Sequence, residues 1–153
     1  MMKSYQNGIK LLATITILFL FITGCNTAQI VETKQISLTT VLGSGLNDIS
    51  QIYVRYGDGK ELTIVENEYL QKTTNILKGM QVIHVESMPD SVGQLYTLKI
   101  KDGSQIIEYS SSLFLNGKQY KVVNDVAKKD LDQYLIKIGR AVIPDLLPGI
   151  EIK

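Results

Sequence analysis

The sequence predicts an α+β domain: an antiparallel sheet of hairpins with two helices packed on one face, preceded by a signal peptide. Three observations predict it. Short runs alternate apolar and polar residues, the period of a half-buried strand. Asp-Gly or Asn-Gly pairs punctuate those runs, and such pairs tolerate the positive φ of a tight hairpin. Two longer segments instead space their apolar residues along a helical stripe.

The chain opens with Lys3 and Lys10, followed by an almost unbroken apolar run from Leu11 to Ile22. This is the charged and apolar order of a secretory signal. About a dozen residues fall short of the roughly 20 that a permanent membrane-spanning helix needs. Asn26 to Lys34 is polar and aperiodic, which suits a tether.

Gln35 to Leu42 alternates loosely, with Ile36, Leu38 and Leu42 on one side, and is expected to form a strand that Gly43-Ser44-Gly45 breaks. Residues 51–56 place Ile52, Val54 and Tyr56 on one face, and Gln51, Tyr53 and Arg55 on the other. Gly57-Asp58-Gly59-Lys60 turns the chain back along Leu62 to Val65. Two further hairpins have the same form. Tyr96 to Ile100 turns at Asp102-Gly103 and returns along Gln105 to Tyr109. Leu113 to Leu115 turns at Asn116-Gly117 and returns along Gln119 to Val123.

The first expected helix, Glu66 to Lys78, aligns Tyr69, Leu70, Thr73, Ile76 and Leu77, with Gly79 as its stop. The second, Asp125 to Ile138, aligns Ala127, Leu131, Tyr134, Leu135 and Ile138. Asn124 or Asp125 caps its start and Gly139 follows its end. Between them Gln81 to Glu86 reads as a strand, with Ile83 and Val85 inward and Val82, His84 and Glu86 outward. Met88 to Gly93 reads as a loop. The apolar tail from Arg140 to Lys153 carries Pro144 and Pro148, which forbid a long helix, so it is expected to lie extended over the core.

The apolar leader ends in Ile22-Thr23-Gly24-Cys25, and Cys25 is the only cysteine. This tetrad resembles the lipobox of bacterial lipoproteins: an aliphatic residue, a small residue, Gly or Ala, then Cys. The resemblance covers residues 1–25. It implies cleavage between Gly24 and Cys25 and attachment of a diacylglyceryl group to the Cys25 sulfur. It also implies a lipid-anchored place on the extracytoplasmic face of the cell membrane. The organisation is then a signal peptide at 1–24, a lipidated tether at 25–34 and one domain at 35–153. The tether reaches roughly 30 Å at full extension. In size and composition the mature part resembles small lipoproteins of low-GC Gram-positive bacteria.

Loss of Lys3 and Lys10 takes the 16 Lys+Arg to 14 against 15 Asp+Glu, a net charge of −1. Nucleic acid is therefore not an expected partner, since phosphate binding needs a concentrated positive field. No catalytic set is expected: His84 is the only histidine, and no Gly-x-Ser-x-Gly or Ser-x-x-Lys pattern supplies a nucleophile. One histidine and a lipidated cysteine supply no metal cluster, and no cofactor motif is present. Asp130 and Asp132 are assigned to the solvated side of the second helix.

The candidate binding face is the side of the sheet turned away from the helices. It is expected to carry Tyr53, Arg55, His84, Glu86, Thr97 and Lys99. Tyrosine and arginine on a rigid surface are common binding anchors, although antiparallel sheets often simply expose one face to water. The expected function is a non-enzymatic binding module at the cell envelope, with another envelope protein as partner. An immunity or surface-exclusion lipoprotein is the alternative. An envelope hydrolase would need a catalytic group that the sequence does not supply.

Overall fold

The computed structural model describes residues 34–86 and 93–151. The leader, Gly24, Cys25 and most of the tether lie outside the described residues, as does most of the Met88–Gly93 loop. The elements run β1 (Ile36–Ser37), α1 (Leu38–Leu42), β2 (Ile49–Tyr56), β3 (Glu61–Ile64), α2 (Asn67–Gly79), β4 (Gln81–Val85), β5 (Tyr96–Asp102), β6 (Gln105–Ser110), β7 (Phe114–Leu115), β8 (Lys118–Val122) and α3 (Asp125–Val142). The α+β class holds, and all strand pairs are antiparallel. Among the described residues the strands divide between two sheets of four, ordered β1-β4-β8-β7 and β3-β2-β5-β6.

All three expected hairpins form. In the β7–β8 turn, Asn116 and Gly117 take φ of 51° and 73°. Two successive positive φ values define the turn whose twist matches the flanking strands, and Asn-Gly adopts it at low cost.

The second sheet turns Ile52, Val54, Tyr56, Ile64, Tyr96, Leu98, Ile100, Ile107 and Tyr109 into the core. Both long helices cover that face: α2 packs on β2 and on α3, and α3 meets β2 and β5 through two tyrosines. The Tyr56 hydroxyl donates to the Leu135 carbonyl at 2.8 Å, and the Tyr96 hydroxyl donates to Asp132 at 2.6 Å. Asn124 caps α3, accepting from the Val126 N–H at 3.0 Å. The chain passes from β6 to the first sheet at Ser111, whose hydroxyl accepts from the N–H groups of Leu95 and Tyr96.

Four local expectations are corrected. The strand expected over residues 35–42 lasts only for Ile36 and Ser37, and residues 38–42 form α1. Leu38 is fully buried, worth roughly 1.5–3 kcal/mol. The short helix closes with the Ser44 N–H on the Thr39 carbonyl. In β4 the inward residue is Val82, not Ile83 or Val85, because Val82 lies between Ile36 and Val122 in the ladder. Asp132 is not on a solvated face: it accepts from Tyr96 and from Lys128, whose Nζ lies 2.7 Å away. Finally, Gly139 lies inside α3 rather than after it. An added Cβ there would sit 2.4 Å from both the Tyr56 hydroxyl and a Leu146 methyl, so the site has no room for one.

The tail begins at Ile143 and does lie against the core, with Leu146 and Leu147 buried. Polar groups tie it down. Asp58 accepts from the Leu147 N–H at 2.9 Å, and Lys60 donates to the carbonyls of Pro144 and Asp145. Arg140 donates to those of Leu146, Leu147 and Ile150.

Two outcomes follow from this packing. Gly139→Ala should destabilise the fold by about 1–3 kcal/mol through overpacking, despite a gain of up to about 1 kcal/mol in helix propensity. Chemical denaturation measures the balance, and a stabilised variant would contradict the packing. The Leu147 N–H bond, with help from Lys60, holds the Asp58 carboxyl below its ordinary 3.8. A lowered folded value gives stability that is present above the ordinary carboxylate range and lost as pH falls through the folded value. Asp58→Asn should therefore flatten the loss of stability below pH 3.8, read from melting temperatures across an acid series.

Candidate functional site

On the outer face of the β3-β2-β5-β6 sheet, alternation places polar side chains in cross-strand rows. One row runs Thr63–Tyr53–Lys99–Glu108, the next Glu61–Arg55–Thr97–Ser110. Charges of opposite sign alternate in these rows. Lys99 and Glu108 approach to 3.7 Å with both side chains mostly exposed, a geometry worth at most about 1 kcal/mol. Glu61, diagonal to Tyr53 across the β2–β3 ladder, pushes that phenol above its usual value, and desolvation adds to the rise. Tyr53 is half-buried and Arg55 exposed.

Beside these rows lies a hollow of about 340 Å³ lined by Gln94, Thr97, Lys99, Glu108, Ser110, Ser112 and Phe114, among others. Its polar edge is held together: Gln94 Nε2 donates to Ser110 Oγ at 2.9 Å, and the Ser110 and Ser112 hydroxyls lie 2.6 Å apart. Phe114 is 58% exposed at its rim. Gln94 and Thr97 also line the adjoining hollow that reaches Arg55. A guanidinium, an ammonium and hydroxyls thus border these hollows together with one exposed ring from β7 of the other sheet, an arrangement suited to hydrogen-bonding a polar partner.

The six expected face residues do not stay together. Tyr53, Arg55, Thr97 and Lys99 share this face, but His84 and Glu86 belong to the other sheet. His84, on β4, stacks edge-on against Tyr120, with ring centroids 5.8 Å apart. Glu86 follows the end of β4 and is exposed. Among the described residues, no group of three or more His, Cys, Asp or Glu side chains is placed to hold a metal ion. No described helix is long and apolar enough to cross a membrane.

A second feature has no counterpart among the sequence motifs. Between β3 and the two long helices runs an apolar groove of about 340 Å³, lined by Leu62, Ile64, Tyr69, Tyr134, Ile138 and Val142, among others. Tyr69 and Tyr134 meet edge-on with centroids 6.5 Å apart, and Lys72 Nζ sits 4.4 Å from the Tyr134 ring centre. Partial burial pushes the Tyr134 phenol up, aided by Glu68 and Tyr69. The helical stripes include Tyr69 and Ile138, yet the sheet is too narrow to cover them. Those stripes are wider than the core requires, and that surplus is the signal the sequence offered.

No protein-family model matches the chain, and no curated protein or solved structure shows significant similarity to it.

Arg55→Ala should change stability by no more than about 0.5 kcal/mol, as at other exposed positions, and Tyr53→Ala, at a half-buried cross-strand position, by no more than about 1 kcal/mol. Denaturant titration measures this, and a loss of several kcal/mol would place these side chains in the packing instead.

Proposed function

We propose that this chain is a lipid-anchored extracytoplasmic lipoprotein that binds another component of the cell envelope without transforming it. The observation that carries the location is Ile22-Thr23-Gly24-Cys25, which closes an apolar leader on the only cysteine. The type of activity is supported by the outer sheet face, where Arg55, Thr97 and Lys99 surround fixed hydrogen-bonding groups. Two acyl chains bury enough CH₂ groups, at about 0.8 kcal/mol each, for stable anchoring. The tether then holds the domain near the membrane surface, so its partner is a molecule found there.

Metabolic labelling with a palmitate analogue tests the anchor. The wild-type chain should be labelled and recovered with membranes, and Cys25→Ser should abolish both; retention of label in that variant would refute the reading. Cross-linking in intact cells tests the binding role. The double variant Arg55→Ala, Lys99→Ala should lose the wild-type adduct while keeping its melting temperature, whereas an unchanged adduct would move the binding surface elsewhere.

A further inference from the structure

We infer that the free edge of β3 is a self-association site, through which two copies of the chain pair antiparallel about Thr63. Among the described residues β3 ends its sheet, with β2 on one side and no strand on the other. The Tyr56 N–H donates to the Lys60 carbonyl at 2.8 Å, which makes Tyr56–Lys60 a bonded rung. Bonded rungs recur at every second residue in an antiparallel ladder, so Val54–Leu62 and Ile52–Ile64 are bonded too. The backbone groups of Glu61, Thr63 and Val65 therefore point away from β2. Val65 agrees: its N–H goes to the Glu66 carboxylate at 3.3 Å.

Exposed strand edges are blunted by shortness, charge, proline, a bulge or a covering element, and β3 has the first two, being four residues long and beginning with Glu61. β3 has no proline, and its register with β2 runs without a bulge. Along Leu62 to Ile64 it borders the apolar groove.

The sequence around this edge selects the occupant. Lys60 and Glu66 lie three residues to either side of Thr63, and Leu62 and Ile64 lie one to either side. A two-fold axis at Thr63 sets Lys60, which also donates to the Pro144 and Asp145 carbonyls, opposite Glu66 of the second copy, twice, and Leu62 beside Ile64, whose side chain already lies in the core. The register also satisfies the outward backbone groups, with bonded rungs at Thr63–Thr63 and at both Glu61–Val65 pairs. Val65 then exchanges its own Glu66 carboxylate for the Glu61 carbonyl of the second copy, which frees Glu66 to meet Lys60. Glu66 is still extended, at φ −68° and ψ 126°, so this outermost rung continues the strand. A few backbone bonds make a weak seam alone. The groove adds apolar area beside it, including Tyr69 at 39% and Val142 at 64% exposure.

Sedimentation equilibrium of the full chain in density-matched detergent micelles tests the proposal. The wild type should be dimeric. Thr63→Pro removes an N–H that β2 does not use, a substitution edge strands tolerate, and should weaken association by about tenfold or more through the lost Thr63–Thr63 bonds. Glu66→Lys sets like charge opposite Lys60 and should do the same, with the melting temperature held. If Thr63→Pro lowers the melting temperature, Glu66→Lys alone decides. A monomeric wild type overturns the proposal, as does a dimer indifferent to Glu66→Lys. Capture of a different protein by this edge of a monomeric chain also overturns it.

Discussion

The contact between Tyr56 and Gly139 is the constraint on which the described domain depends. Tyr56 ends β2, and its hydroxyl reaches a carbonyl within α3. A helix accepts a side chain that close only where it lacks a Cβ, and Gly139 supplies the gap. Leu146 closes over the same point from the tail. The turn that follows Tyr56 then holds that tail through Asp58 and Lys60. One end of one hairpin thus fixes the height of α3 on the sheet and the path of the chain beyond it. The cost of a helix-interior glycine, about 1 kcal/mol relative to alanine, is offset by the burial and hydrogen bonding that it permits.

The parts of the fold legible in the sequence are those whose causes are local. The three hairpins are written in Asp58-Gly59, Asp102-Gly103 and Asn116-Gly117, because turn chemistry acts over two to four residues. The Asn124 cap is equally local. The division into two sheets is not, since it rests on β4 pairing with β1 and β8, strands distant in sequence. Residues 35–42 could serve either as strand or as helix until the burial of Leu38 decides. Gly139 looks like a helix stop because a glycine required by a neighbour 83 residues away leaves no local trace.

The same distinction governs the candidate site. Alternation assigns a side chain to a face of its own strand, which correctly groups Tyr53 with Arg55 and Thr97 with Lys99. It carries no information about which sheet a strand joins, so it groups His84 and Glu86 with residues they do not accompany. Helical periodicity leaves Asp132 beside the apolar stripe and so assigns it to water. Only the position of Tyr96 on β5 gives its carboxylate a buried donor. The apolar groove appears only once the finite width of the sheet is known.

The chain enters the described domain at an edge. Lys34 leads into Ile36 and Ser37, held by two rungs to Val82 and Gln81. Behind them the Leu38 N–H bonds the Met80 carbonyl at 3.0 Å, and the Leu38 side chain is fully buried. In mechanical terms this is a short seam backed by a plug. Tension drawn along the N-terminal segment falls on those two rungs first and on Leu38 next, before it reaches the long ladders of β2, β5 and β6. The resistance of the domain to a pull from that end is therefore set by the pocket that holds one leucine.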